Sequence, residues 1–146
     1  MTQTARKQRP VTYVGVVYPW QADHLGHMNV QHYVGKFDGA SWTLMALIGV
    51  DRAYIVGEKR AIAAVEQNIR YLREVLVGDT VTVTSAVREM AGKTCRFHHE
   101  MTNNRTGDIV ATMEILAVHM DTESRRSCLI PDQVLDHARP YLEPRQ

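Results

Sequence analysis

Residues 29–49 read NVQHYVGKFDGASWTLMALIG. Val30, Tyr33, Val34, Phe37, Ser41, Leu44, Met45 and Ile48 recur at steps of three and four. That spacing lays an apolar stripe along one face of a helix. Asn29 suits an N-cap, because its side-chain oxygen can accept from an unpaired N–H of the first turn. Gly49 suits a terminator. The spacing predicts one long helix over roughly 29 to 48.

Outward from this helix the period changes. On its N-terminal side VTYVGVVYPW, from Val11, is β-branched and aromatic and reads as a strand ending at Pro19. On its C-terminal side, beyond about Gly57, apolar residues alternate. Ala61, Ala63, Val65, Ile69 and Tyr71 share one parity, as do Val81, Val83, Ser85 and Val87, and then Cys95, Phe97, His99 and Met101. GDIVATMEILAVHMD is a long, largely apolar segment. Period two means strands with a dry and a wet face. The breaks VGDT, AGKT and NNRTGD are rich in turn formers, which predicts an antiparallel meander of four long strands. PDQVLDHARP opens like a short helix. The expected architecture is α+β in two layers, with about five strands around one long helix. It is one domain over 1–146, with 1–10 a loose arm and 131–146 a short helix and tail. A sheet with exposed edges also predicts self-association to a dimer or tetramer.

The 146 residues are 45% hydrophobic and 23% charged, the composition of a globular domain. With 17 basic and 16 acidic residues, charge offers nothing to nucleic acid or an anionic membrane. No apolar run approaches the ~20 residues of a membrane helix. The basic start MTQTARKQRP lacks the apolar core of a signal peptide. Cys95 and Cys128 form neither a metal-type pair nor a disulfide framework, which fits a reducing cytoplasm.

The chemistry gathers just before the helix, in PWQADHLGHMNVQHY (19–33). An acid and three histidines there suit turn and cap chemistry, a metal site or a catalytic site. His24, His27 and His32 lack the usual helical ligand spacing and an evident fourth ligand. His98 and His99 fall on opposite faces of a strand. A carboxylate can act as nucleophile or general base. The unpaired N–H groups of a helix N-terminus can hold an oxyanion. Asp23 precedes the helix by six residues, close enough to fold back over its end. Ser41 and Cys95 read as packing residues, Asp38 as an ion-pair partner for Arg70 or Arg73, and Trp20 and Trp42 as core or interface.

The order of strand, ADHLGHMNVQHY loop, long helix and strands resembles the hotdog fold, and within it the acyl-CoA thioesterases of the 4-hydroxybenzoyl-CoA thioesterase type. FDGASW (37–42) and IRYLREVLVGDTVTV (69–83) support the likeness, which covers roughly Thr12 to Met120. It implies hydrolysis of an acyl-CoA to free acid and CoA, with Asp23 the catalytic carboxylate and the amide near Val30 the oxyanion donor. Asn29 and His27 are candidate helpers. Gly26 turns the loop and Tyr33 reaches the pocket. Arg88, Lys93 and Arg96, around REMAGKTCR, are candidates for the CoA phosphates. No metal or cofactor is implied, CoA being part of the substrate. GHMNVQHY departs from the family's YHxNY pattern, which leaves the acyl group open. A hotdog enoyl-CoA hydratase or dehydratase, using His27 with Asp23, and a non-catalytic acyl-CoA-binding module are the alternatives.

Overall fold

The computed structural model describes residues 8–145. Five strands form one antiparallel sheet: β1 (Val11–Val16), β2 (Arg60–Tyr71), β3 (Thr80–Ala91), β4 (Thr94–Asn103) and β5 (Ile109–Asp121). Their order is β1-β3-β4-β5-β2. The long helix α1 spans Val30–Leu47, a short α2 spans Arg52–Glu58 and α3 spans Asp132–Ala138. A long helix against one face of a five-stranded antiparallel sheet is the hotdog fold.

The α1 stripe makes the core. Phe37, Leu44 and Ile48 are fully buried against Val81, Val83 and Val87 of β3 and Phe97 and Met101 of β4. Each such side chain contributes roughly 1.5–3 kcal/mol of burial. α1 packs chiefly on β1, β3 and β4. The inner face of β2 is left thinly covered, and β2 is an edge with Ala64 to Asn68 exposed.

Asn29 caps α1 as expected, its side chain accepting from the Gln31 amide at 3.1 Å. Gly49 follows the C-cap with φ +90°, a conformation that suits glycine. The alternation of β3 and β4 holds, with Val81, Val83, Cys95, Phe97, His99 and Met101 buried.

Four expectations are corrected. β2 and β3 are not meander neighbours: β2 pairs with β5 at one edge while β3 pairs with β1 and β4. Residues 72–79 carry the chain across, and local turn chemistry cannot show a crossing. A bulge between Ala64 and Glu66 breaks the single parity over 61–71, so Ile62, Ala64 and Gln67 face inward. α2 was not foreseen because seven residues are too few to show a helical period; the Asp51 side chain caps it through the Tyr54 amide. The N-terminal arm lies outside the described residues up to 7, but Arg9 is not loose. It is buried and forks onto Glu143 at 2.7 Å for both bonds, tying the chain start to the C-terminal tail. Among the described residues no helix is long and apolar enough to cross a membrane.

Polar groups also cross the core. Ser41 is bonded to His99 Nε2 at 2.8 Å, His99 Nδ1 to Ser85, and Ser85 to Thr12 at 2.7 Å. One chain of side chains thus joins α1, β4, β3 and β1, and Ser41 does more than pack. Burial pushes the His99 imidazole down to about 3, with the His98 and Arg9 charges adding to it. The unfolded chain takes up that proton near pH 6.5 and the folded one does not. Stability is therefore complete above pH 6.5 and lost as pH falls toward 3. Urea denaturation should show a loss of at least about 2 kcal/mol between pH 7 and pH 5. A pH-independent midpoint over that range would contradict the buried neutral imidazole.

Candidate active site

The loop before α1 is built by its own backbone. The Asp23 amide donates to His27 O (2.9 Å), the Gly26 amide to Asp23 O (3.1 Å), and the Leu25 amide to Asp23 Oδ1 (2.8 Å). Gly26 closes this turn at φ +85°. The turn is pinned to the sheet connection by the Met28 amide on Val75 O (2.8 Å) and by a bridge between His27 and Leu76. Its other side is held by the Asn29 amide on Gln21 O (2.8 Å). Lys36, buried on α1, reaches Val16 O at 3.3 Å and Gln21 Oε1 at 3.4 Å. The loop therefore has fixed contacts with β1, α1 and the chain leaving β2.

Asp23, His27, Val30 and Tyr33 line one cavity of about 250 Å³, together with Met28, Tyr71, Leu72, Arg73 and Glu74. The Asp23 side chain is only 13% exposed. His27 stands between two carboxylates, with Nδ1 4.0 Å from Asp23 Oδ1 and Nε2 3.7 Å from Glu74 Oε1. Tyr33 packs edge-on to Tyr71 (5.1 Å, 82°) and donates weakly to Arg73 O at 3.5 Å. Burial raises the Tyr33 hydroxyl above its ordinary value, and Tyr71, Glu74 and Asp23 push the same way. In the first helical turn the Gln31 amide is taken by Asn29 Oδ1 and the His32 amide by Asn29 O. Val30 is the first helical residue, so its N–H has no intrahelical acceptor and sits at the positive end of the dipole.

The other candidates fall elsewhere. Asn29 is committed to its cap and Gly26 to its turn. Arg88 donates to Glu143 O (2.9 Å) beside the C-terminal tail, Arg96 faces Glu89 (3.8 Å), and Lys93 is in the β3–β4 turn. That turn is at the far end of strands that span roughly 35–40 Å, so within one chain none of the three reaches the Asp23 cavity. Asp38 has no ion-pair partner among the described residues; Arg73 faces Asp108 instead (3.8 Å). Nor do three histidine, cysteine, aspartate or glutamate side chains converge as a metal site among those residues. Glu74 and Tyr71 were missed because they lie at and beyond the end of β2, where period two stops.

The sequence pattern defining the thioesterase-like superfamily matches residues 17–137. The chain belongs to that superfamily. The match starts before the Asp23 loop and ends in α3, so it takes in every side chain of the cavity. Among related sequences, the L-carnitine dehydrogenase/betainyl-CoA thioesterase of Rhizobium meliloti is 30% identical over 83% of this chain, which spans only 24% of that protein. The betainyl-CoA thioesterase of Pseudomonas aeruginosa is 27% identical over 90% of this chain and 83% of its own. A Staphylococcus aureus protein solved in complex with CoA superposes with a TM-score of 0.83 at 19% identity, over 94% of this chain and 89% of that one. At that identity the superposition speaks for the fold.

The Asn29 cap has a direct test. Asn29→Ala should lower stability by about 1 kcal/mol in urea denaturation, while Asn29→Asp, which keeps the acceptor, should retain most of it. Equal losses would deny the capping role.

Proposed function

We propose that this member of the thioesterase-like superfamily hydrolyses an acyl-CoA thioester to the free acid and CoA. The observation that carries the reading is the mostly buried Asp23 carboxylate on the wall of a cavity that also holds the first turn of α1. The thioester carbonyl oxygen accepts from the Val30 N–H, whose dipole end stabilises the charge that develops on attack. Asp23 then acts in one of two ways. As a nucleophile it bonds to the carbonyl carbon and expels CoA thiolate, leaving an anhydride that water cleaves. As a general base it takes a proton from a water that attacks the same carbon. Both routes consume one water and end in a carboxylate and CoA thiol. His27, between Asp23 and Glu74, steadies the carboxylate, and Tyr33 with Tyr71 forms an apolar wall. This chemistry asks for no metal or cofactor.

The names of the relatives make a betainyl thioester the first acyl group to try. Free-thiol release from betainyl-CoA and a panel of other acyl-CoAs should reveal a substrate for the wild type. Asp23→Asn keeps the shape and removes the charge, and should lower kcat at least ~100-fold with the fold intact. Equal rates would reduce Asp23 to a turn residue.

The exposed β2 edge is the natural surface for a second copy, since it presents Val65 and a row of unpaired backbone groups. Sedimentation should then give a mass of at least about 33 kDa, twice the 16.6 kDa of one chain. A species of single-chain mass at micromolar concentration would count against it.

A further inference from the structure

A second cavity, of about 140 Å³, lies between α1 and the inner face of β2 and β5. Phe97, Ile115, Ala117 and Met45 make it apolar at the base. Asp38, Ser41 and Gln67 supply its polar atoms, and Trp42 lines it with an exposed ring. No lysine, arginine or histidine lines it. Ser41 is eleven residues beyond Val30, about 16 Å along the helix, so this is not the Asp23 cavity of the same chain.

The hydrogen-bond chain beneath Ser41 has a fixed direction. It ends where Thr12 Oγ1 donates to Val83 O at 3.2 Å, and a carbonyl can only accept. Each hydroxyl has one proton. Thr12 has given its proton away, so the Ser85 hydroxyl must donate to Thr12. Ser85 then accepts from His99 Nδ1–H, which leaves Nε2 bare. Ser41 donates to that nitrogen. The imidazole stays neutral at physiological pH, so the chain does not reverse. Ser41 is 7% exposed, its proton is committed inward, and its lone pairs are left to the cavity.

We propose that this cavity is a binding site for a compact organic cation of trimethylammonium size. The Asp38 carboxylate supplies the opposite charge. Trp42 lines the cavity beside it, and an indole ring is a partner that quaternary ammonium groups favour. Ser41 turns only lone pairs toward the cavity, a negative lining that suits the polarised methyl groups of such a cation. An anion would meet the Asp38 carboxylate with no basic side chain to offset it. Within one chain the site is separate from the Asp23 cavity, and the proposal does not depend on the Asp23 reaction.

The chain has two tryptophans, so Trp20→Phe leaves Trp42 as the sole reporter. In that background choline should change the fluorescence saturably. Its neutral isostere, 3,3-dimethylbutan-1-ol, should bind at least ~10-fold more weakly. Asp38→Asn should weaken choline at least ~10-fold and Ser41→Ala several-fold, with thermal melting to establish that each variant is folded. Asp23→Asn should leave the titration unchanged, which separates this site from the catalytic cavity whether or not a thioester is cleaved. Equal binding of the neutral alcohol, indifference to Asp38→Asn, or no saturable response would each overturn the proposal.

Discussion

One helix cannot cover five strands. With side chains an α-helix is ~10–12 Å across, whereas five strands at ~4.8 Å spacing span about 19 Å between the outer two. α1 spends its apolar stripe on β1, β3 and β4. The inner face of β2 is left partly open, and both larger features of the protein follow. The cleft beside α1 becomes one cavity at the helix start and a second farther along it. The β2 edge is left unpaired.

The cavity at the helix start is usable because its walls are held independently. Its loop is fixed from three sides, by Val75 O through Met28, by Gln21 O through Asn29, and by Lys36 through Gln21. These are ordinary hydrogen bonds, each contributing about 1 kcal/mol net. Together they keep a carboxylate in the same cavity wall as the first turn of a helix. The unpaired Val30 amide is the helix's own contribution. It needs no special residue, only a cap at Asn29 that occupies the amides beyond it.

Much of this was legible beforehand. The α1 stripe, its cap and its terminator were visible in residues 29–49 because helix burial repeats every three to four residues. The alternation of β3 and β4 was visible for the corresponding reason. Asp23, His27, Val30 and Tyr33 stood close enough in sequence for a short loop and one helical turn to gather them. Glu74, Tyr71 and Arg73 were not, since they reach the cavity only after β2 has crossed to the far edge. Arg88, Lys93 and Arg96 looked suitable by charge, yet the lengths of β3 and β4 carry them away. Arg9 looked like part of a loose tail and is a buried partner of Glu143, a pairing across nearly the whole chain.

The buried hydroxyl–imidazole chain draws the same boundary. Thr12, Ser41, Ser85 and His99 are scattered through the sequence, and Ser41 alone looks like a small packing residue. Periodicity showed that Ser41, Ser85 and His99 face inward, because the period of an element sets which side each residue takes. It could not show that they bond to one another, or which way the protons run. The amino-acid order by itself determined the local elements, their dry faces and the polar loop at the head of α1, all properties of neighbours a few residues apart. Strand order, the β2 bulge, the pairing of Arg9 with Glu143 and the two cavities were decided only by the tertiary structure. Those depend on which distant surfaces meet, and that is set by how one helix is shared among five strands.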